Sequence, residues 1–239
     1  MTRSGTTIRW VLAVFALAPN LCAQTRPPIV EQLAKTYGLD SFAQIEAIRY
    51  SRNGQLNGMN VSRSWVWEPK TNRVSYEGKD KDGKPVKLTY LRSELSSQPD
   101  VVKNQVDPAF LADNYGLLMP FHIYWDTSAT VTDRGKQKLP EGSGSAELVE
   151  VKYPNEGGYT PGDTYEVYIG EGNRIEVFGY RRGGPKASLA ISRWTDYKKA
   201  GPLLIPMEIR GTAGGKPFHL AFSNVAVKLT GSDKWINAQ

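Results

Sequence analysis

The stretch Asp113–Asp126, DNYGLLMPFHIYWD, holds Leu117, Leu118, Met119, Phe121, Ile123, Tyr124 and Trp125 in a run interrupted by only Pro120 and His122. The chain as a whole is polar on balance, with a mean hydropathy of -0.44. A segment this apolar needs a surface to bury it. Just upstream, VDPAFLADNYGLL has Asp107 placed to cap a helix, Pro108 at its first position, and Phe110, Leu111, Tyr115 and Leu118 at helical spacing. Pro120 is expected to break that helix. FHIYWD then follows as a second short helix or an extended piece.

The flanking sequence has the opposite periodicity. AQIEAIRYSRN alternates, with Ile45, Ala47 and Arg49 against Glu46, Ile48 and Tyr50. NVSRSWVWEP places Val61, Arg63, Trp65 and Trp67 on one face. NRVSYEG pairs Val74 with Tyr76, and PVKLTYL aligns Val86, Leu88 and Tyr90 after an Asp82-Gly83 turn. Beyond the helical segment, seven more alternating stretches run from SATVTDRG to KPFHLAFSNVAVKL, with tight turns at Gly170–Arg174 and Ala213–Pro217 and one long loop, Tyr153–Asp163. Alternation of this kind marks a sheet with one buried side. The fold class expected is mainly β with some helix. It consists of a strongly curved antiparallel sheet of about 11 strands, four before the helical insertion and seven after it, with helices lining the concave face. PPIVEQLAKTYG, Pro27–Gly38, reads as a further short helix at the start.

The first 23 residues are set apart from this fold. Arg3 and Arg9 precede an apolar run, Trp10–Ala18, and then small and polar residues, which is the layout of a secretory signal peptide cut after Ala23. The run is shorter than the roughly 20 apolar residues needed to span a bilayer. The alternative is a lipid-modified Cys22, although that cut prefers a small residue where Leu21 stands. Cys22 is the one cysteine, so a chain cut after Ala23 has neither a disulfide framework nor thiol chemistry. The remainder, 24–239, is expected to form a single domain located in the periplasm. The formal charge of +6 falls to +4 once Arg3 and Arg9 are removed, because no acid precedes Glu31. The bases are dispersed, which argues against a nucleic-acid partner and is compatible with peripheral contact with an anionic membrane.

No catalytic set is evident. His122 and His219 are the two histidines, and neither has a second histidine or a cysteine at metal-ligand spacing. There is no Gly-x-Ser-x-Gly elbow. The pairs Glu147/Glu150 and Asp163/Glu166 read as solvated surface. No cofactor is expected. The positive signal is bulky side chains repeated along strand faces, which also include Tyr165, Tyr180, Phe218 and Phe222. If sheet and helices close imperfectly, they leave an apolar hollow of the kind an acyl chain fills. The expected lining is Trp65, Trp67, Tyr76, Tyr90, Phe110, Tyr115, Leu118, Phe121, Trp125, Phe178 and Trp194.

The order of elements from Pro28 to Leu229, with stretches such as SWVWEPKTNRVSYEG (Ser64–Gly78) and LLMPFHIYWD (Leu117–Asp126), resembles the periplasmic lipoprotein carrier LolA and its relatives LolB and LppX. The segment Tyr153–Gly184 is similar to a strand-turn-strand of exported members in which a hairpin ends near paired arginines. The resemblance implies a half-open barrel that carries a lipid or an acylated protein as a monomer, without catalysis, and it assigns no residue a role. Two rivals use the same residues. One is an enzyme with His122 as acid or base beside Tyr115 or Asp126. The other is a module whose apolar segment docks on an envelope protein partner.

Overall fold

Residues 26–239, apart from 57, 58 and 81, are described by a computed structural model. The expected signal peptide and Cys22 lie outside the described residues. Each alternating stretch forms a strand. Four come first: β1 (Ile45–Leu56), β2 (Met59–Glu68), β3 (Arg73–Lys79) and β4 (Pro85–Leu91). Seven follow the helical segment: β5 (Thr130–Lys138), β6 (Ser145–Lys152), β7 (Thr164–Ile169), β8 (Ile175–Arg181), β9 (Ala190–Ala200), β10 (Leu203–Ala213) and β11 (Lys216–Leu229). A short β12 (Trp235–Asn237), not anticipated from the sequence, pairs with β11. All pairings are antiparallel, in the order β4-β3-β2-β1-β11-β10-β9-β8-β7-β6-β5. Two meanders are thus joined where β1 meets β11, and β4 and β5 are left at opposite edges.

This topology answers where the apolar segment goes. It is the connection between the two edge strands, so the chain must cross the sheet. The helix α2 (Asp107–Trp125) makes the crossing, preceded by a π turn at Val102–Val106. Nineteen residues at 1.5 Å rise give a rod of roughly 28 Å, held against the concave face. Because the sheet wraps it, α2 is apolar nearly all round and has no single hydrophobic stripe. The helix does not end at Pro120, as the sequence led us to expect. It kinks at Leu118 (φ -122°, ψ 22°) and continues to Trp125. Pro120 withholds the N–H that the Gly116 carbonyl would accept, and the surrounding sheet holds the two halves together across the defect. Asp107 is not a cap either. The helical turn begins upstream of it, and its carboxylate points to the sheet.

Curvature comes from irregularities in the ladders. The β1–β11 register shifts between Ile45 and Ala47 and again between Arg49 and Ser51, and β5–β6 shifts between Asp133 and Lys136. Such bulges bend and twist a strand. The first also resets the alternation of β1, so that Ile48 and Tyr50 face inward opposite Trp67 and Trp65. The AGGKP turn carries Gly214 and Gly215 at φ 57° and 75°, as a tight hairpin between β10 and β11 requires.

The two halves of the concave face are filled differently. Over β1–β4, the ring of Trp65 packs 4.6 Å from Tyr76 and 5.5 Å from Phe110, and Trp67 lies 6.1 Å from Phe110. That half is closed. At the end of the sheet near β8 and β9 sits α1 (Pro28–Thr36), which buries Val30 and Leu33. Tyr37, just after it, donates to the Tyr197 hydroxyl at 2.8 Å and accepts from the Ile175 amide at 3.1 Å. Among the described residues no helix is long and apolar enough to cross a membrane.

Candidate functional site: a hollow between the crossing helix and the second meander

Three acidic residues tie α2 to the sheet. At its start, Asp107 accepts from Tyr90 at 2.8 Å and from Arg92 at 2.7 Å. In the middle, Asp113, with 1% of its side chain exposed, accepts from Arg63 Nε and Nη2 at 2.8 Å and from Trp65 Nε1 at 3.0 Å, and forms an ion pair with Arg52, whose Nε lies 3.0 Å away. Burial pushes the Asp113 carboxyl up, against the pull of both guanidiniums. Just past the helix end, Asp126 accepts from Tyr115 at 3.0 Å and Tyr153 at 2.9 Å, and Ser128 caps it. Burial would raise the Asp126 carboxyl, but these hydrogen bonds together hold it below the usual range. The Arg26 guanidinium donates to the backbone carbonyls of Asp126 and, at 2.9 Å, Ala129, which locks the turn after the helix.

Between α2 and the second meander the packing is open. A hollow of about 580 Å³ is walled by Ala112, Tyr115, Gly116 and Met119 from α2, by Tyr165, Phe178, Tyr180, Trp194 and Ile209 from β7–β10, and by Phe218 and Leu220 from β11. This lies within the size range of small-molecule pockets. The wall rings form a continuous series: Tyr165 stacks on Tyr180 at 5.2 Å, Tyr165 meets Phe178 at 5.6 Å, and Phe178 meets Trp194 at 5.4 Å. Tyr159 and Thr160, from the long loop, close one side. Arg52 and Arg182 are the charged lining residues, and no acid is among them. Two buried donors at this wall, Arg52 Nη1 and Trp194 Nε1, have no acceptor among the described residues.

The structure redistributes the eleven expected lining residues. Tyr115, Phe178 and Trp194 line the hollow. Trp65, Trp67, Tyr76, Tyr90, Phe110, Leu118 and Phe121 belong to the packed core. Trp125 lies outside the hollow, 38% exposed at the helix end against Phe42 and Phe121. We therefore expect Trp125→Asp to leave ligand uptake by the hollow unchanged, as measured by titration with an acyl probe. A loss would place the binding surface at the helix end instead.

The sequence also concealed some lining residues. Arg52 continues the inward row of Ile48 and Tyr50, directly across from Arg63. Two arginines on the inward face of neighbouring strands, beside an aspartate in the most apolar helix, are the available signal. Ala112, Gly116 and Met119 leave no such trace. The surface reading of Asp163 and Glu166 is corrected. Asp163 is buried, accepts from Tyr180 at 2.7 Å and from the Gly183 amide at 2.8 Å, and fixes the loop at the hollow's rim. Glu166 pairs with Arg181 at 2.8 Å.

His122 is held on two sides by its neighbours. Its ring stacks on Tyr115 at 3.9 Å, and Nε2 donates to Asn114 Oδ1 at 2.7 Å, while the Tyr115 hydroxyl is directed to Asp126 and Tyr153. Burial pushes His122 down to about 3, with Asp126 opposing. The unfolded chain would take up this proton near the ordinary value of 6.5, so the folded state excludes a proton that the unfolded state accepts. The resulting stabilisation is complete above about pH 6.5 and is lost as pH falls towards 3. Because the ring keeps some exposure, we expect a loss on the order of 2 kcal/mol between about pH 6.5 and pH 4. Urea midpoints of wild type and His122→Gln should diverge over that window, the variant being the flatter. Parallel curves would show that His122 is not held neutral.

The class defined by this geometry is an open, strongly curved antiparallel sheet clasping one kinked helix, with an apolar hollow on one side of the helix. No family model matches the chain, and no curated protein matches it. Solved structures do match. One is a DUF1329 family protein from Desulfovibrio piger, with a TM-score of 0.46 and 10% identity over 87% of this chain and 96% of that one. Another is a LolA superfamily protein from Nitrosomonas europaea, with a TM-score of 0.42 and 8% identity over 82% and 90%. The Mycobacterium tuberculosis lipoprotein LppX matches at a TM-score of 0.29 and 10% identity, over 84% and 96%.

Proposed function

We propose that this protein binds and carries a lipid-like ligand, a free lipid or the acyl part of a lipidated protein, in the hollow between α2 and β7–β11, without covalent chemistry. The observation that supports it is the hollow itself: about 580 Å³ of space beside a helix whose other flank is fully packed. A wall of aromatic and aliphatic side chains left open forgoes burial worth roughly 0.8 kcal/mol for each methylene that could fill it. The proposal includes export by the first 23 residues and a periplasmic location, where such a ligand passes between membranes. It also includes action as a monomer, with peripheral contact with a membrane at loading or release.

Titration of the mature protein with a fluorescent fatty acid tests the reading. Saturable uptake near one equivalent, displaced by an unlabelled amphiphile, is expected. Absence of saturable uptake would make the hollow a packing defect and shift the function to a protein partner.

A further inference from the structure

The polar part of the hollow is asymmetric. Arg52 and Arg63 share the one carboxylate of Asp113, so this cluster carries one net positive charge at the centre of the fold. Arg63 uses Nε and Nη2 on that carboxylate and keeps part of its side chain in solvent. Arg52 is 7% exposed, gives Asp113 its Nε and lines the hollow, and its Nη1 has no acceptor among the described residues. A buried guanidinium donor without a partner is unfavourable by itself, and a charged one more so. Arg182 adds a second positive charge to the lining, on an exposed loop, and no carboxylate lines the hollow to answer either one.

We infer that Arg52 is the headgroup site of the hollow and that the ligand is an acyl amphiphile with an anionic head, a carboxylate or a phosphate monoester, whose oxygen accepts from Arg52 Nη1. The tail then lies along Tyr115, Met119, Phe178 and Trp194. The shared carboxylate makes the arrangement workable. Asp113 holds Arg52 in place through the ion pair at Nε, and Nη1, enclosed and without a partner, becomes reachable to a ligand oxygen by a small shift of the side chains around it that leaves the Arg63–Asp113 pair intact. Trp194 belongs to β9, three strands from β1, whose axes lie roughly 14 Å apart across the sheet. Its unpartnered Nε1 is a second donor, available to an acceptor on the ligand. The inference rests on the hollow being the ligand site, and it adds the chemical class of that ligand.

The test compares three amphiphiles with one tail, dodecanoate, dodecyl phosphate and dodecanol, by isothermal titration calorimetry on wild type and Arg52→Met below their micellar concentrations. Arg63 keeps its two bonds to Asp113 in that variant, and thermal unfolding of the variant checks the fold. At least one anionic ligand should bind wild type about tenfold more tightly than dodecanol does, and Arg52→Met should bring the two within about twofold. Preference for dodecanoate alone or for dodecyl phosphate alone supports the site and identifies the head. If dodecanol binds wild type as tightly as both anions, the headgroup inference is overturned while the hollow remains a lipid site. If none of the three binds, the lipid reading falls and this inference with it. Should Arg52→Met fail to fold, Arg182→Met decides: an anion preference kept in that variant leaves Arg52 as the headgroup site, and a preference lost in it overturns the assignment.

Discussion

Asp113→Ala should lower the stability of the protein by about 3–5 kcal/mol, the range for removing one partner of a buried ion pair. Its carboxylate receives Arg52, both arms of Arg63 and the Trp65 indole. Alanine would leave two guanidiniums facing each other in the core, one of them almost wholly enclosed. For a domain of this size each kcal/mol moves the midpoint of thermal unfolding by roughly 2–4 °C, so a fall of roughly 6–20 °C should appear in a melting curve. The loss comes from the orphaned charges and only in small part from the missing attraction. The triple change Asp113→Leu, Arg52→Met, Arg63→Met should therefore recover most of it, since a buried ion cluster replaced by apolar groups is often close to neutral. A single variant within about 1 kcal/mol of wild type would show that the cluster is hydrated and that α2 is not anchored through it.

The second large effect concerns ligand and leaves the fold intact. Ala112 is on α2 at the wall of the hollow, one residue before Asp113 and on the flank that faces away from the packed core. Ala112→Trp should fill the hollow from the helix side. Excluding about four methylenes of a bound tail removes roughly 3 kcal/mol of burial, about a hundredfold in affinity. Stability should stay within about 1 kcal/mol of wild type, because the indole enters space that is already open. Fluorescent fatty-acid titration and a melting curve on the same sample check both halves of this statement. Undiminished uptake in a folded Ala112→Trp protein would place the ligand elsewhere.

The elements were far more legible in the sequence than the site. Period-two alternation located all eleven long strands, because most bury one face more fully than the other; β7 is buried on both. Short β12 was missed because three residues carry too little pattern. The density of Leu117–Trp125 signalled a segment wrapped by other structure, and it is the crossing helix. Pro120 misled locally: a proline removes one hydrogen bond, and here the core packed around Leu117–Ile123 supplies the support that a solvent-exposed helix would have lacked. The aromatic faces were correctly expected to point inward. Which of them packs and which is left bare depends on how closely α2 approaches each meander, and that is set by the three acidic anchors. Trp65 and Trp194 have the same signature in sequence, an aromatic on an inward strand face. One packs against Phe110 and donates to Asp113, while the other packs against Phe178 at the wall of the hollow with its buried indole N–H unpartnered. Asp113 was quoted as the first residue of an apolar run, yet its importance lies in the two arginines that tertiary structure brings to it.

Native mass spectrometry of the mature protein, taken from a bacterial periplasm without detergent and followed by solvent extraction, tests the central claim most directly. The account predicts a population carrying one added lipid-sized mass, released by organic solvent and absent from Ala112→Trp prepared in the same way. A clean mass of the bare chain, together with no uptake of added dodecanoate, would contradict it.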